Sequence, residues 1–288
     1  MIFYPYRLRA CAPLIGVAVT VALALSALGG CASPAASTTA MASLANDRIA
    51  AIVANPQRSD ADRAADVRRK PAETLAFTGV RPGMIALDIS AARGYTTELM
   101  ARAVGPDGKV YAQNAPRNAN RVAPAQAEGA SVPPAPVSTA GPAATPVTLA
   151  ERAQRLTQIV PVMRSFDDPV PPEVANGALD IVTLMFNYHD FGHLGVDRVR
   201  MNRAVYAALK SGGVYVIADH TGRSGTGISE SGTLHRVEEA FVVQEVEAAG
   251  LRLADRGNFL RNPEDPRDRN TPVPAMAKDG FVLKFIKP

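Results

Sequence analysis

Short runs that are apolar on both faces alternate along this chain with segments of helical period. Met84 to Ile89, Lys109 to Gln113, Ile159 to Arg164, Leu179 to Phe186 and Val214 to Ala218 read as strands, most of them of the doubly buried kind. Helices are predicted between them. Ser43 to Val53 places Leu44, Ile49, Ile52 and Val53 on one face and stops at Asn55-Pro56. Pro71 opens a helix through Phe77, and Tyr95 to Val104 is helical and stopped by Gly105. Thr148-x-x-Glu151 is a capping box for a helix to Leu156. Val196 to Leu209 is predicted helical, with Val199, Ala204, Val205, Ala208 and Leu209 inward, and a long helix is predicted from Ser231 to Ala249. Turns fall at Gly79 to Gly83, at Pro106-Asp107-Gly108 and at Lys210 to Gly213. Leu251 to Arg256 and Phe281 to Ile286 look like a closing antiparallel pair. Strands separated by helices predict an α/β fold, a Rossmann-like, doubly wound, mainly parallel sheet covered on both faces. Ligands of such sheets bind beyond the carboxyl ends of the strands.

One apolar block stands outside this alternation. Leu14 to Leu28 follows Arg7 and Arg9, with no acidic residue before it. It is short and Ala-rich for a bilayer span and suits the h-region of a signal peptide. Leu28-Gly29-Gly30-Cys31 closes it and resembles the lipobox of bacterial lipoproteins. The resemblance implies that residues 1–30 are removed and that Cys31 is acylated as the new N-terminus. The expected location is the periplasmic side of the envelope. Ala32, with no Asp at that place, favours the outer membrane under the sorting rule of that class. Several acyl chains on one Cys anchor stably where a single chain does not. Cys11 leaves with the leader, so no disulfide can form within the mature chain. Residues 31–42 read as a small, polar tether, and residues 43–288 as one domain. A Pro/Ala-rich stretch at about 115–147 interrupts that domain and reads as a disordered insertion.

Charge narrows the partners. The net charge is +4, and loss of Arg7 and Arg9 leaves 29 basic against 27 acidic residues. Trp is absent and no basic run carries interleaved aromatics, so no nucleic-acid platform is expected. Arg68-Arg69-Lys70 reads as a solvated helix end.

The first βα turn reads Asp88-Ile89-Ser90-Ala91-Ala92-Arg93-Gly94-Tyr95. It resembles motif I of the class I S-adenosylmethionine-dependent methyltransferases, an acid followed by a three-glycine loop. VRPGM before the strand, GPDGKVYAQ through strand two and LKSGG before strand five fit the same family. More narrowly, NYHD, the run VDRVRMNRAVYAALKSGGVY, DH, TLHRVEEAFVVQEVEAAG and FLRNPEDPRD look like a group of exported bacterial methyltransferase-like proteins. The resemblance implies S-adenosylmethionine as cofactor, held by Asp88, Ser90, Ala92 and Gly94, by Gln113 and Asn114 where the family has its ribose acid, and by Asp167 and Asp168 near the adenine. It places Asn187, Tyr188, His189 and Asp190 in motif IV, facing the transferred methyl. The expected reaction is methyl transfer to a small or envelope-associated acceptor, with His189 or Asp190 as base and Tyr188 shaping the methyl site.

Each of these residues has a plainer reading. Asp88 could cap the next helix, Asp167 and Asp168 could form a turn before Pro169, and Asn187 to Asp190 could cap a short turn. Asp219-His220 at the end of strand five could be a structural pair. Two of the three loop glycines are replaced, by Ser90 and Ala92. If both positions require positive φ, each replacement costs about 1–2 kcal/mol. Two such costs weaken binding about a hundredfold. That erosion keeps a second reading open, a non-catalytic binding or scaffold protein on the same fold. A third follows from His189, His193, His220 and His235, of which at least three could gather at one sheet edge as metal ligands. No tight ligand motif accompanies them, and no metal is expected.

Overall fold

The computed structural model describes residues 46–116, 147–272 and 274–288. The leader, the tether with Cys31 and all but the ends of the 115–147 insertion lie outside the described residues. Residues 46–53 are helical (α1). The elements that follow are α2 (Asp60–Arg69), α3 (Pro71–Thr78), β1 (Ile85–Ile89), α4 (Tyr95–Val104), β2 (Lys109–Asn114), α5 (Leu149–Arg155) and β3 (Ile159–Met163). Then come β4 (Leu179–Met185), α6 (Asp190–His193), α7 (Arg198–Ala208), β5 (Leu209–His220), α8 (Glu239–Glu247), β6 (Arg252–Gly257) and β7 (Gly280–Ile286). No described helix is long and apolar enough to cross a membrane.

The seven strands form one sheet in the order β3-β2-β1-β4-β5-β7-β6. The first five pair in parallel, and β7 runs antiparallel to both β5 and β6. This is the class I methyltransferase arrangement. Alternate residues of β1 feed two cores, Leu87 and Ile89 packing with Leu184, Phe191 and Tyr215, and Ala86 packing with Leu99, Met100 and Ile181. That double burial explains why the strands read as continuous apolar runs. The order reverses between β2-β1 and β4, so the ends of β1 and β4 form the switch point where a ligand crevice opens.

Several elements differ from the pattern. Apolar periodicity gives no warning of α2, whose sequence DADRAADVRR is mostly charged and is held by ion pairs instead. The predicted helix from Ser231 is only α8, because residues 231–238 turn around His235 at φ 51 and join Thr221 by a bridge at Val237. Helix α7 starts at Arg198, capped by Asp197, and Val199 is 55% exposed rather than inward. Lys210 to Gly213 forms an irregular start to β5 rather than a separate turn. Between β6 and β7 the chain is anchored by Arg236, whose fully buried guanidinium forks onto Asp265 at 2.9 and 3.1 Å.

Candidate functional site

The β1–α4 loop keeps the backbone of a three-glycine turn. Ser90, Ala92 and Gly94 lie at φ 57, 51 and 87. Gly94 is required twice over, since a Cβ there would stand 2.9 Å from the Leu149 side chain of α5. The non-glycine residues accept the left-handed backbone because neighbouring groups fix it. Gln113 accepts the Ser90 N–H at 3.0 Å through Oε1 and donates to the Arg164 carbonyl at 2.7 Å. Asn114 accepts the Ala92 N–H at 2.8 Å and donates to its carbonyl at 3.0 Å. The Ala91 N–H reaches the Gln113 carbonyl and the Gly94 N–H that of Ala91. Ser90 Oγ is bonded to Asn187 Oδ1.

Asp88, 2% exposed, accepts from Thr97 at 2.6 Å and Thr183 at 2.8 Å. Burial pushes its carboxyl up to about 6, against the pull of the two hydroxyls and the Arg69 charge. On the loop's other side Arg152, also buried, donates to the Arg93 carbonyl at 2.8 Å. Its guanidinium pairs with Glu98 and, at 2.8 Å, with Asp62. Despite its burial, Asp62 stays below the usual carboxylate range because Arg152 faces it. Helices α2, α4 and α5 thus meet on one ion network behind the loop.

Two cavities flank the crest formed by Ala92 and Arg93, which line both. One, of about 380 Å³, is lined by Arg69, Asp88, Ser90, Tyr95, Phe186 and Asn187, among others. The other, of about 900 Å³, lies over β2 and β3 and includes Asn114, Met163, Phe166, Asp167, Leu194 and Val196. Both fall in the size range of small-molecule pockets. Arg69 is not the solvated helix end that its sequence suggests. Its guanidinium lies 4.8 Å from the Tyr95 ring centre and 5.3 Å from that of Phe186, and it makes no hydrogen bond or salt bridge among the described residues. Nothing in the sequence marks this residue except its basic neighbours. Arg152 likewise could not be foreseen as the tie between loop and helices.

The remaining sequence-derived candidates separate. Asp167 lines the larger cavity, and its Oδ1 accepts the Asp197 N–H at 2.6 Å. Asp168 pairs with Arg164 at 2.7 Å and Arg200 at 3.3 Å. Asn187 lines the smaller cavity and donates to Asp190 at 2.7 Å. Tyr188 is fully buried, donates to Glu245 at 2.7 Å, accepts from Asn202 at 3.2 Å and lines neither cavity. Burial beside Glu245 raises its phenol well above the usual value.

All four histidines gather beyond the ends of β4 and β5. Ring centres run from His220 to His189 at 5.8 Å, from His189 to His235 at 5.5 Å and from His235 to His193 at 5.7 Å. His189 is buried, with Nδ1 2.6 Å from Asp219 and Nε2 3.1 Å from Asp190. Burial opposes its charge, but the two carboxylates prevail and lift it to about 9. Burial likewise works against Asp190, yet the histidines hold it at about 2. His220 has no such pairing at Nδ1, and burial lowers it to about 4.

No family model and no curated protein matches this chain. Solved structures do. An S-adenosylmethionine-dependent methyltransferase from Aquifex aeolicus superposes with a TM-score of 0.50 at 14% identity, covering 84% of this chain and 98% of that one. A chain from a complex of a methyltransferase and its activator from Haloferax volcanii gives 0.50 at 14% identity, covering 85% and 97%. At this identity the likeness shows the fold, a class I methyltransferase fold over most of the chain.

Proposed function

We propose that this chain is an exported, lipid-anchored methyltransferase that uses S-adenosylmethionine on a small or envelope-associated acceptor. The observation that carries the reading is the β1–α4 loop, which holds three left-handed positions at the switch point of this sheet although two of them are not glycine. Keeping that backbone costs about 1–2 kcal/mol at each non-glycine residue, which a purely structural turn does not need.

The residues present suit the cofactor. The cavities on either side of Ala92 and Arg93 offer room, and Arg69, stacked on two rings but without a hydrogen bond among the described residues, offers a guanidinium for a carboxylate. Asp167 and Phe166 line the side assigned to the adenosyl end. Bound S-adenosylmethionine supplies an electrophilic methyl group. The chain's own contribution is alignment, since holding two reactants in line removes much of the barrier. Asn187, fixed by Ser90 and Asp190, orients the acceptor beside the smaller cavity. Asp190, held at about 2 and lining neither cavity, is too weak a base to take the acceptor's proton and serves to fix Asn187.

One observation favours a second reading, a non-catalytic protein on the same fold. The Ser90, Ala91, Ala92 and Gly94 N–H groups are all engaged within the protein, as is the Asn114 amide. Calorimetry on the chain from residue 32 onward, with S-adenosylmethionine and its demethylated product, separates the two. Micromolar binding supports the enzyme, and absence of heat at millimolar ligand leaves the second reading. Labelling with radioactive palmitate, lost on Cys31→Ser, tests the anchor.

A further inference from the structure

Three ligand-type side chains converge on a spot that neither cavity includes. Asp190 Oδ1 lies 2.8 Å from His235 Nδ1 and 3.1 Å from His189 Nε2. One donor atom from each residue falls within 4.8 Å of the other two. Nitrogen and oxygen ligands about 2.1 Å from a tetrahedral ion stand about 3.4 Å apart, so an ion would lengthen the 2.8 and 3.1 Å contacts by a few tenths of an ångström. The set of two imidazoles and one carboxylate belongs to transition metals rather than to magnesium or calcium.

Asp219 gives the cluster its direction. Its fully buried carboxylate accepts the His189 backbone N–H at 2.8 Å and meets Nδ1 at 2.6 Å. With Nδ1 as the donor, the Nε2 lone pair is turned toward Asp190. A carboxylate that orients a histidine in this way is the recurring support behind protein-bound metals. The other carboxylate oxygen of Asp190 is held by Asn187. His235 sits at φ 51, a conformation that costs a residue with a Cβ about 1–2 kcal/mol, and such strain persists where a site demands it. The side chains of Asp190 and His235 are 25% and 39% exposed, so solvent can reach the remaining coordination positions.

We propose that His189, Asp190 and His235 bind one first-row divalent transition-metal ion, oriented by Asp219 and completed by water. The proposal does not depend on adenosyl binding. Its rival is an imidazolium at His189 clamped between two carboxylates, with no ion.

The purified full chain, made without a polyhistidine tag and stripped with a chelator, is titrated with cobalt(II) and followed by visible absorption. The expected result is a d–d band that saturates near one equivalent and is displaced by zinc. His235→Asn removes a ligand while keeping a residue that tolerates left-handed backbone, and should abolish the band. Asp219→Asn should weaken binding about 10–100-fold. Far-UV circular dichroism identifies any variant that fails to fold, and if Asp219→Asn does so, His235→Asn decides. No band at millimolar cobalt with the folded parent chain overturns the proposal. So does an unchanged affinity in folded His235→Asn, which means adventitious ions only.

Discussion

Asn114 clamps Ala92 from both ends of one amide, accepting from its nitrogen at 2.8 Å and donating to its carbonyl at 3.0 Å. The residue at the place of the family's ribose acid is thereby engaged in holding the loop. Asn114→Asp keeps the accepting half and loses the donating half. Stability should fall by about 1 kcal/mol, the net value of one such bond. The freed carboxylate offers a charge-assisted contact to a ribose hydroxyl, so affinity for S-adenosylmethionine should rise. Thermal melts and calorimetry on the same preparation read both effects.

Ala92 is exposed and left-handed, so its methyl group contributes strain and little packing. Ala92→Gly should stabilise the protein by about 0.5–1 kcal/mol, after the entropic cost of glycine is deducted from the relief. Adding Ser90→Gly removes a side chain that lines the smaller cavity, and the room gained should raise cofactor affinity. Unchanged affinity in the double variant would count against the loop as the ligand cradle.

Asp88 makes stability depend on pH in a particular sense. Its carboxyl is raised from 3.8 to about 6 on folding, so the native state binds its proton more tightly than the unfolded chain. Its contribution is therefore fully present below pH 4 and is lost as pH rises through 6. Two units correspond to about 3 kcal/mol. Asp88→Asn does not ionise and should gain on the parent protein between pH 4.5 and 7.5 in urea unfolding. A difference that stays flat with pH would mean that Asp88 is not raised.

Arg69 stacks on Tyr95 and Phe186 without a hydrogen bond among the described residues. Arg69→Gln gives up two cation–π contacts and should lower the melting temperature by a few degrees without unfolding the protein. If the guanidinium receives the cofactor carboxylate, the loss is a charged hydrogen bond of about 1.5–3 kcal/mol, or tenfold or more in affinity. Equal binding by parent and variant would remove Arg69 from the site.

How far the sequence revealed the fold depended on what holds each element. β1, β4 and β5 are buried on both faces, and apolar runs announced them within a few residues of their ends. The Thr148–Glu151 capping box formed as its spacing predicts. α2 was invisible because Asp62 and Asp66 hold it through Arg152 and Arg58, and charges carry no apolar period. Residues 231–238 looked helical, yet Val237 is drawn into a bridge with Thr221 and Arg236 into a buried pair. At the site, motif order located the loop and Asn187. Exposure decides between function and core, and sequence cannot supply it: Tyr188 turns into the core, and Arg69 turns away from solvent onto two rings.

The buried fork of Arg236 on Asp265 bears on how this protein can be handled. The guanidinium also donates to the Thr221 carbonyl at 3.1 Å, so the stretch leaving β6 is riveted to the end of β5 from inside. Without regular structure, that stretch resembles a permissive surface loop where an epitope or fluorophore is customarily grafted. A graft that pulls Asp265 away would leave Arg236 buried without its partner, at a cost of about 3–5 kcal/mol. The turn tip at Pro106-Asp107, exposed at both residues, is the safer place for a label, whereas Gly108 beside it is buried and leaves no room for a Cβ.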